Sequence, residues 1–146
     1  MKKLVYILNG PNLNLLGKRE PDIYGNDTLE DVEKLCNDLA NENSYKIYFR
    51  QTNAEHQLID WIHQARNEAC AIIINPAGYS HTSIAILDAL YSFDGKVVEV
   101  HITDIKKREE FRHKTYVSLR ADKEVIGEGI NGYITALNFV MKSSSN

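Results

Sequence analysis

Ala71–Ile74 is a continuous aliphatic run, halted by Asn75-Pro76 and set between two helix-patterned segments. A strand with no polar alternation must be covered on both faces, which commits the chain to a sheet packed between helices. The rest of the pattern agrees. Leu4–Leu8 is a short apolar run, and the segment from Thr28 to about Asn43 places Val32, Leu35, Cys36 and Leu39 on one helical face. Thr28 and Asp31 have the spacing of a capping box. Tyr45–Arg50 alternates like a strand, with Ile47 and Phe49 on one side, and Glu55–Glu68 is helical through Leu58, Ile59, Ile62 and Ala65. Beyond Pro76 the spacing predicts a helix from about Ser80 to Phe93 and a strand Val97–Ile102. A charged turn at Thr103–His113 has room for one short helix, and a strand is predicted at Tyr116–Leu119. A helix from about Gly132 to Met141 closes the chain, with a polar tail at 142–146 expected to fray.

Five strands alternating with helices predict a three-layer α/β fold, flavodoxin-like, with a parallel sheet in the order 2-1-3-4-5 and helices on both faces. With 146 residues and no repeat or linker, one domain spanning 1–146 is expected. The apolar fraction of 43% and charged fraction of 25% are those of an ordinary globular protein. A net charge of -3 leaves no electrostatic footprint for nucleic acid or an anionic membrane. Cys36 and Cys70 lack the spacing of a zinc site or redox pair and are expected to be buried, reduced thiols. The N-terminus has no apolar h-region, so cytoplasmic is the expected location.

Between the first strand and the first helix lies the stretch Asn9–Asp27, longer than compact domains usually tolerate without a functional reason. Leu13, Leu15, Leu16, Ile23 and Tyr24 anchor it, while Asn9, Asn12, Asn14 and Arg19 supply polar groups. In open parallel sheets, ligands bind beyond the carboxyl ends of the strands. Those ends carry this loop, the segment Asn75–His81, and His101-Ile-Thr103. Convergence of three such segments on one crevice marks the candidate site.

The residue types there suit proton transfer. A tyrosine is a poor base by itself at neutral pH, but a cation within a few ångströms lowers an acid's pKa by roughly 1–3 units. Tyr24 and Arg19 are such a candidate pair, with the packed ring and solvated guanidinium as the plain alternative. Asn75 to Ser83 brings small residues, hydroxyls and His81 to the expected start of a helix, a place that favours negative charge. Asp88 is expected two turns after His81 on the same side, between Leu87 and Leu90, where a carboxylate needs a partner in this subunit or another. Glu99 and His101 share one face of a strand, so the carboxylate can orient the imidazole as a general acid. Arg108, Arg112 and His113 form a basic cluster near the same edge, where an arginine can grip a carboxylate.

Assembled, these segments resemble the type II 3-dehydroquinate dehydratases. The likeness runs from Leu8 to about Leu137. It includes Asn9-Gly-Pro-Asn-Leu-Asn-Leu-Leu-Gly17, Arg19-Glu-Pro-x-x-Tyr24-Gly25, Gln51-x-Asn53-x-Glu55 and Asn75-Pro-x-x-x-x-His81-Thr-Ser83. Asp88-Ala89, Glu99-Val-His101, Arg108-Glu-Glu-Phe-Arg-His113 and Gly127-x-Gly-x-x-Gly-Tyr133 complete it. The resemblance implies Tyr24 as the base that removes a proton alpha to a ketone, Arg19 as its activating cation, and Asn12 as a stabiliser of the enolate through water. It implies His101, oriented by Glu99, as the acid for the departing hydroxyl. Asn75, His81, Arg112, Ile102 and Thr103 would hold the hydroxyls and carboxylate of 3-dehydroquinate, and Asp88 would arrive from an adjacent subunit. It also implies trimers grouped into a dodecamer, no metal and no organic cofactor, with shikimate biosynthesis taken ahead of quinate breakdown as the pathway. Two departures stand out: Thr103-Asp104 replaces the common Ser-Asn, and His56 stands where glycine is frequent. Asp104 is expected to put negative charge near a carboxylate site, with affinity the property at stake.

Two other readings are weaker. Gly127-Glu-Gly-Ile-Asn-Gly132 matches the dinucleotide fingerprint, but the fourteen residues after it hold neither a second strand nor an acid. A flavin-binding module would bind FMN at the same sheet edge, yet needs a hydroxyl-rich phosphate loop where this chain has amides, leucines and an arginine.

Overall fold

The computed structural model describes residues 2–144. Its elements are β1 (Lys3–Asn9), α1 (Pro21–Tyr24), α2 (Leu29–Glu42), β2 (Tyr45–Gln51), α3 (Glu55–Glu68) and β3 (Ala71–Asn75). They continue with α4 (Ile84–Tyr91), β4 (Lys96–His101), β5 (Lys123–Ile126) and α5 (Asn131–Ser144). All strand pairings are parallel and the order is β2-β1-β3-β4-β5. This is the predicted flavodoxin-like arrangement.

The pleat divides the core into two. Val5, Ile7, Ile73, Val98 and Val100 pack with Val32 and Cys36 of α2 and Leu137 and Val140 of α5. Tyr6, Leu8, Ile72, Ile74 and Val97 pack with Leu58 and Ile62 of α3 and Ile86 and Leu90 of α4. β3 is buried along its whole length, as its unbroken aliphatic run requires. The capping box forms: Thr28 accepts from the Asp31 N–H, and Asp31 accepts from the Thr28 N–H. Cys36 is buried and Cys70 partly so. Burial pushes the Cys36 thiol up to about 12 and also raises that of Cys70, keeping both protonated at neutral pH.

Four expectations need correction. The last strand is Lys123–Ile126, and Tyr116–Leu119 is instead a turn with one 3-10 segment at Val117–Leu119. Thr115 accepts from the Ser118 N–H and Ser118 donates back to the Thr115 carbonyl, so local side-chain bonds capture the backbone. The true strand hides because Val125 is its sole buried residue; as an edge strand it carries charge instead of apolar alternation. The predicted helix from Ser80 splits: residues Ala77–His81 form a 3-10 turn, and α4 starts only after Ser83, which accepts from the Ile86 N–H. The stretch after β4 holds two short 3-10 turns, Ile105–Lys107 and Glu110–Arg112, rather than one helix. Finally, α5 continues through Ser144, with the hydroxyls of Ser143 and Ser144 bonded to the Phe139 and Val140 carbonyls. The predicted frayed tail therefore concerns only 145–146, which lie outside the described residues.

The ends of β1 and β3 are joined by polar atoms in the core. The Tyr133 hydroxyl donates to Asn9 Oδ1 at 2.6 Å and accepts from Asn75 Nδ2 at 3.0 Å. Asn9 donates on to the Arg50 carbonyl, and Asn75 Oδ1 accepts from the Ala77 N–H. Where β1 runs into its loop, Gly10 lies so near the next crossover that a Cβ would sit 2.6 Å from the Pro76 carbonyl oxygen. Burial holds the Tyr133 phenol far above its ordinary value, so it stays protonated and can bridge the two amides. Tyr133→Phe removes that bridge and orphans two buried amide groups. Its expected cost is about 1–3 kcal/mol of unfolding free energy, read by urea denaturation.

Candidate active site

Beyond the carboxyl ends of β1, β3 and β4 lies a cavity of about 470 Å³, within the usual range for a small-molecule site. Asn12, Arg19 and Tyr24 line it from the loop after β1, Asn75 and His81 from the segment after β3, and His101, Ile102 and Thr103 from the end of β4. Arg108 and Arg112 complete the wall, with Glu20 and Glu109 beside them. Backbone strain gathers here. Of the four described non-glycine residues with positive φ, Asn12 (72°), Glu20 (43°) and Ala77 (53°) all line the cavity. Such conformations persist where surrounding structure enforces them, often at functional sites.

Glu99 sits behind the wall, fully buried, and His101 is 4% exposed. His101 Nε2 lies 2.6 Å from Glu99 Oε2, which also accepts from the Ser80 hydroxyl at 2.9 Å. Glu99 Oε1 accepts from the Thr115 hydroxyl at 3.1 Å. No arginine or lysine bonds to this carboxylate among the described residues, so three donors offset the cost of burying it. The arrangement puts a proton on Nε2, while Nδ1 has no hydrogen-bond partner among the described residues.

Tyr24 meets two cations. Arg108 Nη1 donates to its phenolic oxygen at 2.8 Å, while the Arg19 guanidinium stands over its ring, 5.0 Å from the centroid. Arg19 is itself paired to Glu20 at 2.5 Å. The pairing of Tyr24 with Arg19 read from the sequence therefore exists at the ring, and the cation on the oxygen is Arg108. Arg112 donates from Nε to both Glu109 oxygens at 3.2 Å; a hydrogen bond from the Glu109 backbone first, and these contacts second, hold the Glu109 carboxyl below the usual range. His81 Nδ1 donates to the Lys114 carbonyl at 2.8 Å, leaving Nε2 as the acceptor.

Asp88 lies elsewhere. Ile86, Leu87, Ala89 and Leu90 take the buried face of α4, so Asp88 is on the exposed side of that helix, away from the cavity of its own chain. The expected two-turn relation to His81 and the apolar surroundings do not hold. Asp104 is likewise off the cavity wall; its Oδ1 accepts from the Lys106 N–H, which engages the charge that was expected beside the site. His56 is exposed on α3.

The profile of the family described as Dehydroquinase class II matches residues 3–141. The chain belongs to that family. It is 56% identical over 137 residues to the 3-dehydroquinate dehydratase of Cereibacter sphaeroides (strain ATCC 17029 / ATH 2.4.9), covering 94% of this chain and 93% of that protein. With the 3-dehydroquinate dehydratase of Streptomyces coelicolor the identity is 60% over 131 residues, covering 89% and 83%. The crystal structure of type II dehydroquinase from Propionibacterium acnes superposes with a TM-score of 0.93 at 42% identity, covering 97% of this chain and 98% of that one.

In this member of the family, the polar support of the site has no signature in the sequence. Ser80 and Thr115 are separated by 35 positions and no periodicity relates either to Glu99; only the fold brings them together. Arg108 had a usable signal, since Arg108-x-x-x-Arg112 places a second arginine beside the first. Glu20 and Glu109 read as ordinary charges until their partners are known.

Burial is the main cause that lowers the His81 pKa below its usual 6.5. The unfolded chain therefore takes up a proton, as pH falls through about 6.5, that the folded chain resists until lower pH. Stability from this residue is present above that value and declines below it. Urea unfolding at pH 7.5 and 5.5 should show a smaller loss at acid pH for His81→Gln than for the wild type; equal losses would exclude His81 as the source.

Proposed function

We propose that the chain is a 3-dehydroquinate dehydratase, acting as one catalytic domain that removes water from 3-dehydroquinate to give 3-dehydroshikimate. The observation that carries the reading is the pairing, across one cavity, of a phenol held between two guanidinium groups and an imidazole held by a buried carboxylate. Family membership and the names of close relatives support the same reaction.

In this reading Tyr24, as its tyrosinate, takes the proton alpha to the ketone, and Arg108 and Arg19 surround the anion with positive charge. The electron pair moves into the ketone to form an enolate, which Asn12 stabilises through a bridging water. The enolate then collapses, expelling the beta hydroxyl as His101, acting from its doubly protonated imidazolium form and left as the neutral ring, gives it a proton, so the products are the conjugated ketone and water. Asn75, His81, Arg112 and the Ile102–Thr103 turn hold the hydroxyls and carboxylate of the substrate. Among the described residues no lysine lines the cavity, which favours an enolate path over a Schiff base. Asp88, exposed on α4, serves the site of an adjacent subunit in a trimer-based dodecamer. The biosynthetic shikimate route in the cytoplasm is the setting we assign; no helix among the described residues is long and apolar enough to cross a membrane.

Incubation with 3-dehydroquinate should produce the ultraviolet absorbance of the conjugated product; its absence with folded protein would refute the assignment. Tyr24→Phe keeps the ring and should lower turnover by about 10²–10⁴-fold while melting like the wild type. A folded Tyr24→Phe protein with normal turnover would remove Tyr24 as the base. Activity should also depend on the oligomer. Mixing Asp88→Asn subunits with Tyr24→Phe subunits should restore part of the rate, because some sites then inherit both intact residues. Mixed assemblies with proven exchange that stay inactive would confine Asp88 to its own chain.

A further inference from the structure

Asn12 is held on the cavity wall in a left-handed conformation, φ 72° and ψ -6°, that a non-glycine residue adopts at a cost. Its backbone N–H donates to Asn53 Oδ1 at 3.0 Å. Gln51, the last residue of β2, donates from Nε2 to Asn53 Oδ1 at 3.2 Å and to the Gly10 carbonyl at 3.1 Å. The same amide reaches Asn14 Oδ1 at 3.4 Å, and the Tyr79 hydroxyl donates to the Asn53 carbonyl at 2.8 Å. Backbone partners settle which end of each amide is which. An N–H must face oxygen, so Asn53 presents Oδ1 to Asn12, and a carbonyl must face NH2, so Gln51 presents Nε2 to Gly10.

Neither Gln51 nor Asn53 lines the cavity, yet together they grip the loop on both sides of Asn12. Freed from that grip, Asn12 would relax toward negative φ and turn its side chain to a new direction. We infer that Gln51 and Asn53 are positioning residues for the reaction, an amide clamp at the end of β2 that presents Asn12 to the developing enolate. The inference rests on the proposed dehydration and on the role given there to Asn12. It assigns work to two residues that touch no substrate.

The donors and acceptors are unequal, and that makes the clamp testable. Asn53→Leu loses the acceptor, whereas Asn53→Asp keeps an oxygen for both N–H donors. Gln51→Glu loses the donor and sets a carboxylate against carbonyl oxygens. Steady-state kinetics on 3-dehydroquinate and thermal melting should be measured on the same samples. In Asn53→Leu and Gln51→Glu, kcat and kcat/KM should fall together by about 10–100-fold, the cost expected of a misplacement near 1 Å. KM should change by less than about threefold, and Asn53→Asp should recover most of the rate. In an Asn12→Ala background, Asn53→Leu should add less than about a twofold loss, because the group it positions has gone.

Asn53→Leu with normal kcat, Asn53→Asp no better than Asn53→Leu, or a full extra loss on top of Asn12→Ala would each overturn the clamp. So would Asn12→Ala at the wild-type rate. A wild type without turnover removes the functional reading and this inference with it. A wild type that turns over beside a fully active Asn53→Leu removes the inference alone.

Discussion

One buried hydroxyl sits where the chain changes direction across its sheet. From β1 the connection runs first outward to β2 and then back past β1 to β3, so the crevice opens between the ends of β1 and β3. Both strands end in asparagine, on the face that α5 covers, and Tyr133 of that helix holds the two side chains at one point. Asn9 extends the link to β2 through the Arg50 carbonyl, and Asn75 extends it to the turn at Ala77. Each buried side-chain nitrogen and oxygen in this group has a hydrogen-bond partner, which is the condition for a buried polar network to stabilise rather than weaken a core. The loop that carries Tyr24 departs from one side of this junction. The segment that carries His81 departs from the other.

The charged groups around the cavity fall into two physical classes. Arg19 with Glu20 and Arg112 with Glu109 are largely exposed pairs, and such pairs contribute little to stability. Their effect is on where the guanidinium groups stand. Glu99 is the opposite case, a buried carboxylate supported by hydroxyls and an imidazole instead of a cation. Removing a single donor there leaves the buried carboxylate short of a partner, at a cost of about 1–3 kcal/mol. The side of the site proposed to supply the acid is thus built into the core. The cations, by contrast, are adjusted at its rim.

Periodicity carried most of the fold because a parallel sheet buried on both faces must write itself in aliphatic runs. Ala71–Ile74 and Val97–Ile102 are where that signal is strongest. It failed at β5, where edge position replaces apolar residues with Lys123 and Glu124, and at Ser83, whose hydroxyl starts α4 later than the apolar spacing suggests. In the site, Glu99 and His101 were legible because a two-residue spacing on a strand fixes a shared face. Arg19 and Tyr24 were legible as neighbours, but which nitrogen meets the phenolic oxygen depends on Arg108, 84 positions away from Tyr24. No local pattern encodes that. The apolar surroundings expected of Asp88 were misread because Ile86, Leu87, Ala89 and Leu90 take the buried face of α4 and leave it outside.

The two halves of the proposed proton machinery differ in how firmly they are held. His101 ends an interior strand that is itself buried from Val97 onward, and its partners Glu99, Ser80 and Thr115 are buried with it. Tyr24 ends a four-residue helix set between Glu20, in a left-handed conformation, and Gly25, with Ile23 exposed beside it. A segment with so little buried apolar surface opens far more readily than the sheet beneath it. Its polar tie to the body of the protein at the reacting end is the hydrogen bond from Arg108 to the phenolic oxygen. That bond is charge-assisted on one side while the phenol is neutral. It becomes charge-assisted on both sides when the phenol is ionised, and bonds between opposite charges are the shorter and stronger kind. In the proposed reaction the same contact therefore does two things at once, holding the loop shut most firmly in the state in which Tyr24 can act as a base. Once Tyr24 has taken the proton of the substrate the tie weakens, and the loop opens most easily when the site holds product.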